Sequence, residues 1–167
     1  ECLFLIQGRR FSRAACSRDS IRSSIDFIFY NYKANVKAMK ERGFKEVPHT
    51  ADWALQVWAP DLSGLFHSAA QGMVSLMGVE LHPDSLSAHF FSLKNSDPES
   101  LLVAFLSELL FITQEQNQGF AHLALAIDGP VLHAALSTAP VMRIDKEIKA
   151  VTYHNLDIHW DGDRYTA

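Results

Sequence analysis

The stretch "SDPESLLVAFLSELLFITQEQNQG", residues 96–119, leaves this chain little choice of architecture. Asp97 stands where a helix N-cap belongs, with Pro98 at the first helical position, Glu99 in the first turn and Gly119 beyond the end. Leu101, Leu102, Phe105, Leu106, Leu109 and Leu110 recur at spacings of three and four, so one side of the helix is apolar along its length. Such a helix must be covered. A second one, "PDLSGLFHSAAQGMVSLMG", makes the same demand through Leu62, Leu65, Phe66, Ala69, Met73, Leu76 and Met77, with Asp61 as its N-cap and Gly78 as its stop. The methionines in that stripe are read as core packing and not as a ligand box.

The remaining segments supply strands to do the covering. In "DWALQVWA", Trp53, Leu55 and Val57 share one parity while Asp52, Ala54, Gln56 and Trp58 share the other, the alternation of a half-buried strand. "FKEVPHT" before it is a short extended piece ended by Pro48, and "AHFFSLKN" reads as a strand. "AHLALAI" and "VLHAALS" flank the turn sequence "DGP" and predict a hairpin. In "EIKAVTYHNLDIHWDGDRYTA", a strand is expected with Ile148, Ala150, Thr152, His154, Leu156, Ile158 and Trp160 on one face. Lys149, Tyr153, Asp157 and His159 fall on the other, and "DGD" turns into a last strand from Arg164. The expected fold is α+β, with two amphipathic helices packed on one face of a mainly antiparallel sheet.

Charge divides the chain near residue 40. Residues 1–40 hold eight Lys/Arg against three Asp/Glu, a net +5, whereas residues 41–167 hold seven against sixteen, a net −9. The basic segment lacks sustained periodicity, and it is expected to be an extension, disordered or spurious, with translation beginning at Met39. An acidic main domain over 41–167 argues against direct nucleic-acid binding, which relies on Lys and Arg neutralising phosphates. No apolar run approaches the ~18 residues of a membrane-spanning helix. Cys2 and Cys16 are the only cysteines, which excludes a disulfide framework and favours a reducing, cytoplasmic setting.

Chemistry-bearing motifs are few. There is no Walker-type loop, GxGxxG, GxSxG or HExxH. His67, His82, His89, His122 and His133 are scattered without metal-ligand spacing. His49, Thr50 and Asp52 lie at the mouth of the "DWALQVWA" strand, where an imidazole and a carboxylate can act as base and orienter or as metal ligands, or simply bond local backbone as turn residues. Lys149, Tyr153 and His154 form a second polar set, which a regular strand would split between two faces. Asp157, Asp161 and Asp163 offer oxygens to a hard cation, but "DIHWDGD" does not match the EF-hand ligand order.

Taken in order, "VPHTADWALQVWAPDLSGLFHSAAQGMVSLMG", "DPESLLVAFLSELLF" and "EIKAVTYHNLDI" resemble the archease family from about Phe44 to Ala167. The resemblance implies an accessory protein, not an enzyme. Its partner would be an RtcB-type RNA ligase of tRNA splicing, whose guanylylation and repeated turnover it promotes. It also implies a divalent cation, Ca²⁺ in the usual case, held by the aspartate of the "HTAD" motif, here Asp52, and by carboxylates at the extreme C-terminus. The family's closing strand continues past the position of "RYTA" to an aspartate, so the resemblance implies an incomplete site and a truncated sequence here. GTP and the nucleophile would belong to the ligase. The alternatives left open are a stand-alone metal-dependent hydrolase, with His49 as base and Asp52 as ligand, and a non-catalytic binding module.

Overall fold

The computed structural model describes residues 42–47, 53–83, 85–153 and 156–167. Among the described residues two helices, α1 (Leu62–Met77) and α2 (Pro98–Gln114), accompany eight strands: β1 (Gly43–Val47), β2 (Ala54–Ala59), β3 (Glu80–Leu81), β4 (Ser87–Lys94), β5 (Gln118–Asp128), β6 (Val131–Arg143), β7 (His159–Trp160) and β8 (Tyr165–Thr166). Every pairing among them is antiparallel. The expected α+β architecture is the one observed, with the strands divided between two sheets. The first has the order β1-β2-β8-β7; in the second, β6 pairs with β3, β4 and β5.

Both helices start as their sequences dictate. Asp61 Oδ1 accepts the N–H of Gly64 at 2.7 Å, and Asp97 Oδ1 accepts that of Ser100 at 2.7 Å, each satisfying an otherwise orphaned donor. Gly78 ends α1 in the left-handed conformation at φ 61°. The expected stop of α2 is corrected: the helix ends at Gln114, and Asn117, not Gly119, adopts positive φ. Gly119 is instead the second residue of β5, where a Cβ would collide with Leu81.

Helix α1 is buried on more than its apolar stripe. Gly64, His67, Ser68, Ala70 and Gly72 are buried along with Leu65, Phe66, Ala69, Met73 and Met77. It touches β1, β2 and β8 of the first sheet on one side and β5 and α2 on the other. Its small residues permit this. A Cβ on Gly64 would sit 3.0 Å from that of Ala59, and one on Gly72 would sit 2.9 Å from Leu55 Cδ1 and 3.1 Å from the Phe44 ring. Phe66 and Phe105 pack with ring centroids 5.8 Å apart, and Phe91 of β4 meets Phe105 at 6.3 Å, so the core is continuous from the first sheet through both helices to the second.

The expected hairpin over "DGP" is present, with Gly129 at φ 54° in the turn and Asp128 opposite Val131. The expected strand over residues 147–158 is not. Its residues 147–153 and 156–158 form no strand, and the assumed parity fails because Ile148, Val151, Leu156 and Ile158 pack on the core while Ala150 and Thr152 are exposed. Two side chains of α2 hold this segment in place of a ladder. Gln114 Nε2 donates to Ile148 O at 2.9 Å, and Ile158 N–H donates to Glu99 Oε1 at 3.0 Å. The segment is thus a strap that runs from the C-terminal to the N-terminal end of α2.

Burial holds the pKa of His67 down to about 4, with the charge of Arg42 adding to the effect against hydrogen bonds involving Gln71 and the Leu123 backbone. The unfolded chain takes up this proton near 6.5 and the folded chain only near 4, so the unfolded state binds more protons between them. Stability is therefore expected to fall as pH drops through that window, by roughly 3 kcal/mol for this group, with no further change from it below. Urea titrations across the window should show the loss, and His67→Gln should flatten it. At Gly72, the ~1 kcal/mol gain in helix propensity from Gly72→Ala is expected to offset its crowding against Leu55 and Phe44. Gly72→Val, larger and β-branched, should destabilise by about 1–3 kcal/mol in the same assay.

Candidate functional site

The mouth of β2 is defined by Trp53, which precedes the strand and remains 48% exposed although it shares parity with the core residues Leu55 and Val57. The Lys146 ammonium sits 5.1 Å from its ring centroid, a cation–π arrangement. Lys146 and Asp145 are fixed from behind, since both backbone N–H groups donate to Met77 O, at 3.0 and 2.9 Å, and so cap α1. Asp145 also pairs with Arg143 at 2.7 Å. Between β1 and the end of α1 these residues border an open cavity of about 180 Å³, which Phe44, Glu46 and Leu55 line from the strands.

The Trp53–Lys146 contact has a positional consequence. It ties Trp53, just before β2, to the chain that continues directly into Lys149 and the strap. Lys149 and Tyr153 lie on the strap, both exposed, Tyr153 at 56%. His49, Thr50, Asp52 and His154 lie outside the described residues. Among the described residues no three His, Cys, Asp or Glu side chains converge as a metal site requires. The trio Asp157, Asp161 and Asp163 is therefore not one. The Asp161 carboxylate is engaged with backbone, accepting N–H groups of Arg164 and Asp163 at 2.9 Å each, and these bonds lower its pKa.

Of the scattered histidines, His67 is buried in α1, His89 is half-buried, and His82, His122 and His133 are exposed. Sequence reading missed the strap's anchors, Gln114 and Glu99, and the partner of Trp53. The approach of Ile148 and Val151 to the core at a spacing of three was the available signal against a strand.

A model of the Archease protein family matches residues 44–167. The chain belongs to the archease family. It is 29% identical to the protein archease of Methanosarcina barkeri over 139 residues, covering 74% of this chain and 91% of that one. The archease-like protein of Dictyostelium discoideum is 28% identical over 134 residues, covering 74% and 88%. Among solved structures, the solution structure of protein 1598 of Methanobacterium thermoautotrophicum superposes with a TM-score of 0.55 at 25% identity, covering 75% of this chain and 94% of that one. A crystal structure from Thermotoga maritima, described as an archease and possible chaperone, shares the fold with a TM-score of 0.56 at 20% identity, covering 73% and 91%. No helix of the described residues of this archease is long and apolar enough to cross a membrane.

The strap's attachment to α2 can be tested directly. Glu99→Ala removes the acceptor of the Ile158 N–H and an acid from the first turn of α2. The expected outcome is a loss of about 1–2 kcal/mol in denaturant titration, with faster amide exchange in residues 156–160 and unchanged exchange in β5 and β6.

Proposed function

We propose that this archease is an accessory protein that activates an RtcB-type RNA ligase in tRNA splicing or RNA repair, promoting ligase guanylylation and multiple turnover. Family membership over residues 44–167 carries this reading. Charge supports it as well. A net −9 over residues 41–167 disfavours direct contact with RNA and favours docking on a basic protein surface, raising the association rate in a salt-sensitive way. The cysteine usage suits a cytoplasmic setting.

Asp52 is the residue on which the reading places a divalent cation, Ca²⁺ by preference, with C-terminal carboxylates completing the ligand set in the family's pattern. The described residues contribute no ligand cluster of their own, so the cation enters this proposal through Asp52 alone. The Trp53–Lys146 contact suits the role because it steadies the chain next to Asp52. Exposed Lys149 and Tyr153 on the strap are then available to the same partner. GTP and the attacking nucleophile belong to the ligase.

The full-length protein is expected to stimulate guanylylation of its cognate ligase, and Asp52→Ala to abolish stimulation without lowering the thermal midpoint. Unchanged stimulation by that variant would remove Asp52 from the mechanism. Phosphoester turnover by the purified protein alone under varied divalent cations, lost in both His49→Gln and Asp52→Ala, would replace this reading with the stand-alone hydrolase.

A further inference from the structure

The C-terminal hairpin carries a constellation to which the proposed function assigns no role. From Leu156 to His159 the chain alternates, with Leu156 and Ile158 packed on the core and Asp157 and His159 exposed. The turn closed by Asp161, with Gly162 at φ 105°, then brings Thr166 directly opposite His159. Three side chains meet as a result: Asp157 Oδ2 lies 3.0 Å from His159 Nδ1, and His159 Nε2 lies 3.0 Å from Thr166 Oγ1.

The hydrogen bonds assign the protons. An ionised carboxylate only accepts, so Nδ1 carries the hydrogen donated to Asp157; in the neutral imidazole Nε2 is then the acceptor, and the Thr166 hydroxyl donates to it. This is the order hydroxyl, imidazole, carboxylate through which a general base activates an alcohol. Trp58 of β2 is the cross-strand neighbour of Thr166 on its other side, and its ring carries the Arg164 guanidinium 5.4 Å from the centroid, a group that also pairs with Asp161 at 3.5 Å.

We propose that Thr166 is a nucleophile that accepts acyl groups from activated carboxylic esters, with His159 as its base and Asp157 positioning the imidazole. Thr166 Oγ1 bonds to the acyl carbon as its proton passes to His159 Nε2. The tetrahedral oxyanion then collapses, the ester C–O bond breaks, and the leaving oxygen takes the proton from Nε2 as the alcohol departs. Water, deprotonated by the same imidazole, hydrolyses the acyl-threonine to the carboxylic acid and restores the hydroxyl. The expected acceleration is at the lower end of general-base effects, about 100-fold, because the side chains of His159 and Asp157 are 56% and 78% exposed and water competes for their bonds.

The full chain is incubated with p-nitrophenyl acetate, while nitrophenolate release is followed and the acetylated residue is located by peptide mass spectrometry. The expected result is an acetyl group on Thr166 and an early phase of release that Thr166→Val abolishes. His159→Gln should slow labelling about 100-fold, and Thr166→Ser should retain it. Acetyl groups found only on lysines or other histidines, or wild-type release by Thr166→Val, would overturn the proposal. If Thr166→Val fails to fold, the comparison of Thr166→Ser with Thr166→Ser/His159→Gln decides, and equal labelling at position 166 in the two would overturn it as well. Ligase stimulation does not enter either readout.

Discussion

The close approach of two sheets to one helix governs the rest of this structure. Helix α1 has no solvent-facing side wide enough to be ignored, since β1, β2 and β8 press on it from one direction and β5 and α2 from another. Only glycine and other small residues let backbones come this near, and Gly64 and Gly72 stand where Ala59, Leu55 and Phe44 fill the available space. Apolar burial then holds the layers together, because Leu65, Phe66 and Met77 are removed from water altogether. The position of β2 follows from that seating. So does the position of its mouth, and with it the placement of Trp53 against Lys146.

Some of this was legible in the sequence because the signals are local. The N-caps Asp61 and Asp97, the left-handed Gly78 and the turn at Gly129 each act within a few residues, and each sits where its chemistry requires. The wider burial of α1 was not legible, since glycine, serine and alanine carry little hydropathy signal and register only when a neighbour is known. Residues 147–158 misled for a different reason. Apolar residues at Ile148, Leu156 and Ile158 fit a two-residue period, but the segment is held by Gln114 and Glu99 of α2 and not by a ladder, so Val151 is free to turn to the core in place of Ala150 and Thr152.

For the candidate site, the order of three separated motifs was enough to place the chain in its family, which the match over residues 44–167 establishes. Its geometry was less accessible. The Trp53–Lys146 contact joins residues far apart in the chain and has no periodicity to betray it. Trp53 itself shares parity with core residues yet stands half-exposed, because the strand's buried stretch begins only where α1 overlies it. Asp157 and His159 were correctly assigned to one face, while the cross-strand partner Thr166 follows only from the register of the hairpin.

The first sheet joins segments far apart in the chain, with Trp58 paired to Thr166 and the backbones of Val57 and Ala167 exchanging hydrogen bonds at 2.8 and 3.0 Å. The second sheet is built largely from neighbours in sequence, β5 and β6 forming a hairpin with a short turn. Folding rates track the sequence separation of contacts, because loop-closure entropy is spent before a distant pairing returns anything. On that ground the local β5–β6 hairpin is expected to form early and the docking of the β7–β8 hairpin on the distant β2 late. Until the β7–β8 hairpin docks, β2 keeps one edge open, a row of unpaired backbone donors and acceptors that another extended chain can occupy.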